Sequence, residues 1–264
     1  MPANIREFHR ATTPARVQEL LQRTGTPTAA LALGPRLPDA PFAQIEAVVD
    51  LQPLALNEIS LSGATVRIGA QTPLQAVVES AALAGVAGGA LCRAAALSAH
   101  FGLRNLATVG GAIDGATALP PGPPEVLLAL LALGAQVTTL GGDGGALAAY
   151  RPSPQEVLRE IVIADATQWQ GALARVARSP LDQAIVTAVA AVSSTQARVA
   201  VAGVSAGPIT AEARVDSDPA QTIALLVAAV LAHAEPQGDY RGSAEYRRAM
   251  AEVLARRALN QAFA

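Results

Sequence analysis

The sequence predicts an α+β protein in two domains, 1–165 and 170–264, and three observations carry that reading. Helix-spaced and strand-spaced apolar segments alternate through the first part of the chain. The pattern changes across Asp165 to Gly171, which is the best single cut. Beyond it, Ala184 to Val192 and Arg198 to Val204 read as strands on either side of the turn residues Ser193-Ser194-Thr195-Gln196, and two long helical segments follow.

Taken in order, Ile5 to Phe8 is a short strand, and Thr12-Thr13-Pro14 caps a helix over Ala15 to Thr24 whose apolar face holds Val17, Leu20 and Leu21. Ala29 to Leu33 is a buried strand ending at Gly34-Pro35-Arg36, and Ala47 to Leu51 is another. Glu58 to Leu61 and Thr65 to Gly69 form a hairpin about Ser62-Gly63. Thr72, as N-cap before Pro73, starts a helix through Ala84, and Ala90 to Ala99 forms a second. Leu119 to Pro124 holds too many prolines for regular structure. Glu125 to Leu133 is a helix, Ala135 to Leu140 a strand, and Glu156 to Ile163 a helical turn and strand. The chain ends with helices over Pro219 to Ala234 and Ala244 to Phe263, the last capped by Ser243. On that last helix Tyr246, Met250, Val253 and Leu254 form the packing stripe, and Arg247, Arg248, Glu252 and Arg256 face outward.

With 51% hydrophobic but only 3% aromatic residues, the core is built from Ala, Leu and Val, which favours closely packed helices. All 19 basic residues are Arg, so lysine-based Schiff-base chemistry and a Walker-type phosphate lysine are excluded. Any anion is held by Arg or by backbone amides. A net charge of -2 gives no footprint for nucleic acid. The single Cys92 excludes a disulfide, a Cys-rich zinc site or a cluster ligated by this chain, and it reads as a small buried hydrophobe. His9, His100 and His233 lack metal spacing. The N-terminus lacks a secretory pattern and no apolar run is long enough to span a bilayer, so the expected location is cytoplasmic.

The least helix-like stretch of its neighbourhood is Leu103 to Ile113, reading LRNLATVGGAI. Gly110 and Gly111 allow a turn through positive φ that brings several amide N–H groups to one side, with the Thr108 hydroxyl as a further donor. That is the outline of a phosphate cradle, although paired glycines also mark ordinary turns.

Leu103 to Ile113 resembles the Ile-Arg-Asn-x-Ala-Thr-x-Gly-Gly-Asn-Ile signature of the FAD-binding (medium) subunits of molybdenum hydroxylases, among them those of carbon monoxide dehydrogenase and xanthine dehydrogenase. Asp239 to Arg248, followed by Val253 to Leu259, is similar to the end of that family's C-terminal domain. Phe8 to Thr12, Leu181 to Val186 and Gly203-Val204 fall in the expected order. The resemblance implies a two-lobed FAD-binding domain, with lobes at 1–60 and 61–165, then a small α+β domain with an antiparallel sheet. It further implies FAD as cofactor and, as partners, a molybdopterin-binding large subunit and a 2Fe-2S small subunit, with a homodimer of the heterotrimer as the possible assembly. Such a subunit of an oxidoreductase passes electrons from the clusters to an external acceptor. It holds the cofactor and needs no catalytic acid, base or nucleophile of its own.

By the same resemblance, Leu33, Gly34, Pro35 and Arg36 stand at the first FAD loop, and Thr108, Val109, Gly110, Gly111 and Asp114 at the second. The first loop departs from the family's Ala-Gly-Gly-Thr-Asp: Leu33 adds a side chain, Pro35 removes an amide donor, and Arg36 is a possible direct phosphate contact. Ala112 replaces the family's Asn, the segment near Tyr150-Arg151 is shortened, and Asp114 and Glu125 are both candidates for the family's acidic residue. Arg104 and Asn105 either contact the ligand or brace the turn. Arg178 and Asp182 are either a surface ion pair or part of the flavin domain's seam. The alternative function is that of a degenerate member that has lost FAD and serves as a structural or assembly subunit.

Overall fold

The computed structural model describes residues 5–31, 45–114, 125–153, 155–179 and 182–264. Three sheets organise the described residues. The first is parallel, in the order β1-β3-β2, from β1 (Glu7–Arg10), β2 (Thr28–Leu31) and β3 (Ala47–Asp50). Helix α1 (Pro14–Gln22) covers it, with Pro14 in its first turn and the Thr13 hydroxyl accepting from the Arg16 amide at 3.3 Å. Val17, Leu20 and Leu21 pack on Val49, Leu51 and Val157, so the predicted apolar face is the buried one.

The second sheet is antiparallel, in the order β4-β5-β8-β6-β7, from β4 (Ile59–Ser62), β5 (Thr65–Gly69), β6 (Gln136–Thr139), β7 (Gly144–Ala146) and β8 (Leu158–Ile163). Its helices are α2 (Leu74–Glu79), α3 (Ala90–Ser98), α4 (Phe101–Arg104), α5 (Val109–Asp114) and α6 (Glu125–Ala132). Ala90, Ala94 and Ala95 of α3 and Ala129 and Ala132 of α6 are buried in one core, as an aromatic-poor composition requires for close helix approach. Helix α2 is shorter than predicted and begins one residue later, with Pro73 rather than Thr72 at its N-cap. It stops at Glu79, before Ala87, Gly88 and Gly89 adopt positive φ and turn the chain into α3.

The third sheet, β12-β11-β10-β9, is antiparallel throughout: β9 (Gln170–Val176), β10 (Val186–Val192), β11 (Gln196–Ala202) and β12 (Ile209–Arg214). Helices α7 (Pro219–Ala232) and α8 (Ala244–Phe263) cover one face and α6 meets β10 and β11 on the other. All seven residues of β10 are therefore buried, and it reads as a continuous apolar run rather than an alternating one.

The stripe assigned to α8 is corrected by the structure. Its buried face is Arg247, Ala251, Leu254, Ala255, Ala258, Leu259 and Ala262, whereas Tyr246 and Val253 are exposed. Arg247 points inward because its guanidinium finds acceptors there. It donates to the carbonyls of Ile185 at 2.8 Å and Gly203 at 3.0 Å and to the Asp239 carboxylate at 2.7 Å.

Candidate functional site

The paired glycines lie in a helix, not in a positive-φ turn. Thr108 pairs with Pro73 in an isolated antiparallel bridge, and α5 starts at once after it. The Thr108 hydroxyl accepts from the Gly111 amide at 3.1 Å, as an N-cap does. The Val109 amide donates to the Thr72 carbonyl at 2.9 Å and the Gly110 amide to the Ala70 carbonyl at 2.7 Å. The expected cradle is corrected accordingly: these three amides have protein acceptors. Gly110 also has a steric reason to be glycine, since a Cβ there would lie 2.8 Å from the Ala70 carbonyl oxygen.

This segment nonetheless borders an open cleft of about 460 Å³ between the first two sheets. Leu31, Asp50, Leu51 and Gln52 come from the ends of the parallel strands or just beyond them, and Ala70, Gln71, Asn105, Thr108, Gly110, Gly111 and Asp114 come from the second lobe. The carboxyl ends of parallel strands are where open α/β sheets place ligands, and that rule is the signal that would have found Asp50 and Gln52. Of the nine residues assigned to the two loops, the cleft brings Thr108, Gly110, Gly111 and Asp114 together, with Val109 buried behind them. Leu33, Gly34, Pro35 and Arg36 lie outside the described residues.

Two carboxylates line the cleft, and among the described residues no Arg or His does. Asp50 is compensated: Arg10 Nε lies 3.3 Å from Oδ2, and the Gln52 amide donates to Oδ1 at 2.9 Å. Asp114 accepts from the Tyr150 hydroxyl at 3.0 Å. Burial pushes its pKa up to about 6, with the Tyr150 hydrogen bond working against the shift.

The alternatives left by the sequence resolve around this cleft. Arg104 is a brace: Nε donates to Gln75 at 2.9 Å, and Nη1 donates to the carbonyls of Ala96 and Ala99 at 2.8 and 2.9 Å. Asn105 lines the cleft while its amide donates to the Phe101 carbonyl at 2.8 Å. Arg178 and Asp182 form an exposed pair at 3.4 Å, away from the cleft. Glu125 turns instead toward Arg175, so of these two candidates only Asp114 lines the cleft. Cys92 is half-buried, its thiol donating to the Val77 carbonyl at 3.3 Å, and burial pushes that thiol up.

Residues 5–149 match the model of the FAD binding domain in molybdopterin dehydrogenase, and residues 172–262 match that of the CO dehydrogenase flavoprotein C-terminal domain. The chain belongs to this flavoprotein family. Among solved structures it is similar to a carbon monoxide dehydrogenase from Hydrogenophaga pseudoflava that lacks the Mo-pyranopterin moiety of the molybdenum cofactor. The two are 25% identical over 100% of this chain and 99% of that one, with a TM-score of 0.82. It is similar also to the reconstituted CO dehydrogenase from Oligotropha carboxidovorans, 25% identical over 99% of each chain, TM-score 0.81. Quinoline 2-oxidoreductase from Pseudomonas putida 86, 21% identical over 99% of this chain and 98% of that one, TM-score 0.77, shares the fold. No curated protein matches the chain in sequence at a significant level. The FAD-binding domain followed by a C-terminal domain with an antiparallel sheet is the layout the sequence predicts, and no helix among the described residues is long and apolar enough to cross a membrane.

Proposed function

We propose that the chain binds FAD in this cleft and serves as the electron-transfer subunit of a molybdenum hydroxylase. The observation that carries the reading is an open cleft at the family's paired-glycine segment, floored by Gly110 and Gly111. Its volume of about 460 Å³ falls within the range of about 300–1,000 Å³ usual for small-molecule sites. The side-chain amides of Gln52, Asn57, Gln71 and Asn105 supply neutral donors and acceptors at its walls, which suits a dinucleotide's ribose hydroxyls, ring edges and phosphates. FAD, when bound, supplies the redox chemistry. The chain's own residues then hold and orient the cofactor.

Electrons would enter from the clusters of a 2Fe-2S small subunit beside a molybdopterin-binding large subunit, with a homodimer of the heterotrimer as the assembly. The carbon monoxide dehydrogenases that the chain resembles over its full length support that assignment.

A second reading, a structural or assembly subunit without FAD, is favoured by one observation: the amides of Val109, Gly110 and Gly111 are bonded within the protein. Titration of the purified chain with FAD, followed by quenching of flavin fluorescence, separates the two. Saturable quenching supports the flavin reading, and a chain that ignores FAD while still co-purifying with its two partners supports the structural one.

A further inference from the structure

An anionic dinucleotide entering this cleft meets an unusual electrostatic environment. The described lining holds two carboxylates and no cation, and of the two only Asp50 has an Arg beside it. Asp114 has a neutral partner, Tyr150. A phosphate or an electron-rich ring edge near an ionised Asp114 is repelled in a partly desolvated site, where charges interact more strongly than in water. The same carboxyl in its neutral form repels nothing and gains an O–H donor.

We propose that binding of the dinucleotide in the cleft is coupled to uptake of a proton by the Asp114 carboxyl, so that this residue sets how affinity depends on pH. The inference rests on the flavin reading above.

Among the described residues, the surroundings of Asp114 leave it the group best placed for this role. On α5 no other residue titrates. From α6 comes Glu125, paired with Arg175 at 3.5 Å. From β8 come Glu160, paired with Arg67 at 2.9 Å, and the exposed Arg159. From the turn after β7 come Tyr150 itself and Arg151, whose guanidinium donates to the carbonyls of Ala148 and Tyr150 at 3.1 and 2.8 Å. Burial raises the Tyr150 pKa, and Asp114 and Glu156 raise it further, so Tyr150 remains a hydroxyl donor throughout. Residues 115–124 contain no titratable side chain, and no histidine lines the cleft. Burial already holds the Asp114 carboxyl at about 6, within reach of protonation near neutral pH. A ligand that prefers its neutral form raises it further.

The test is FAD titration by fluorescence quenching between about pH 5 and 8, the window in which few side chains titrate. It is paired with calorimetry in buffers of different ionisation enthalpy. In the wild-type chain Kd should rise by up to about tenfold per pH unit above the carboxyl's pKa, with net proton uptake on binding. Asp114→Asn, permanently neutral, should bind with a flat pH profile and no proton uptake from this site. Tyr150→Phe removes the donor that stabilises the carboxylate and should carry tight binding to higher pH. Saturable binding with a flat wild-type profile, or an Asp114→Asn variant that keeps the wild-type slope, overturns the inference and leaves the flavin reading standing. Absence of FAD binding at every pH overturns both.

Discussion

Arg175 on β9 reaches Glu125 at the start of α6, Nε 3.5 Å from Oε1, and so joins the C-terminal sheet to the helix packed on its other face. Both side chains are largely buried, at 13% and 8% exposure, and Arg175 also donates to the Asp182 carbonyl. Removing one member of such a pair strands the other's charge away from water.

Arg175→Met should therefore lower the unfolding free energy by about 3 kcal/mol. Urea denaturation followed by fluorescence of Trp169 reads this, because the single tryptophan is buried near the seam with Arg198 4.8 Å over its ring. An unchanged midpoint would mean that the pair does not stabilise the seam.

Gly110→Ala should destabilise the chain by about 1–3 kcal/mol, the usual range for an added methyl in a packed interior. The methyl would meet the Ala70 carbonyl oxygen at 2.8 Å and the Ala70 Cβ at 3.0 Å, atoms that cannot rotate away. A phosphate site at Gly110 would predict instead that a side chain there blocks the ligand. Thermal unfolding without FAD distinguishes the two, since only the contact with Ala70 lowers the midpoint in the absence of ligand.

Acid should weaken the C-terminal domain through Asp239. Burial pushes its carboxyl upward, but hydrogen bonds from Arg241 and Arg247 outweigh this and hold it well below the usual aspartate range. A carboxylate whose pKa is lowered on folding stabilises the fold above its unfolded pKa of about 3.8, and that contribution is lost as pH falls toward the folded value. Asp239→Asn should thus be less stable than wild type at neutral pH and lose less on acidification. Arg247→Met, which leaves the carbonyls of Ile185 and Gly203 without their donor and Asp239 with Arg241 alone, should cost about 1–3 kcal/mol at neutral pH, the penalty for a buried polar group left unsatisfied. Denaturant midpoints across pH read both.

Much of this fold is legible in the residues because local signals agree with packing. Ser243 before Ala244–Phe263 and Thr13 before Pro14–Gln22 are caps that no tertiary contact had to override. Strands β9 and β12 carry weaker signals: QGALARV and ITAEAR are rich in Gly, Ala and charge, and pairing with β10 and β11 rather than propensity makes them strands. Arg247 reads as a solvated charge because sequence spacing cannot show that three carbonyls and a carboxylate await it inside.

The candidate site is legible in the same uneven way. Thr108 to Gly111 and Asp114 are prominent in the sequence and do reach the cleft or its floor. The Val109 and Gly110 amides are directed by the carbonyls of Thr72 and Ala70, about 40 residues earlier in the chain, and no local pattern encodes that. Tyr150, the partner of Asp114, is 36 residues from it in sequence and meets it only through the fold.

Titration of the purified chain at about pH 6, near the pKa of the Asp114 carboxyl, is the test of whether the cleft beside Gly110 and Gly111 holds FAD. FAD binding in the cleft predicts saturable quenching of flavin fluorescence with one FAD per chain and a raised unfolding temperature in the presence of FAD. Unquenched flavin together with an unfolding temperature that FAD does not move would contradict it.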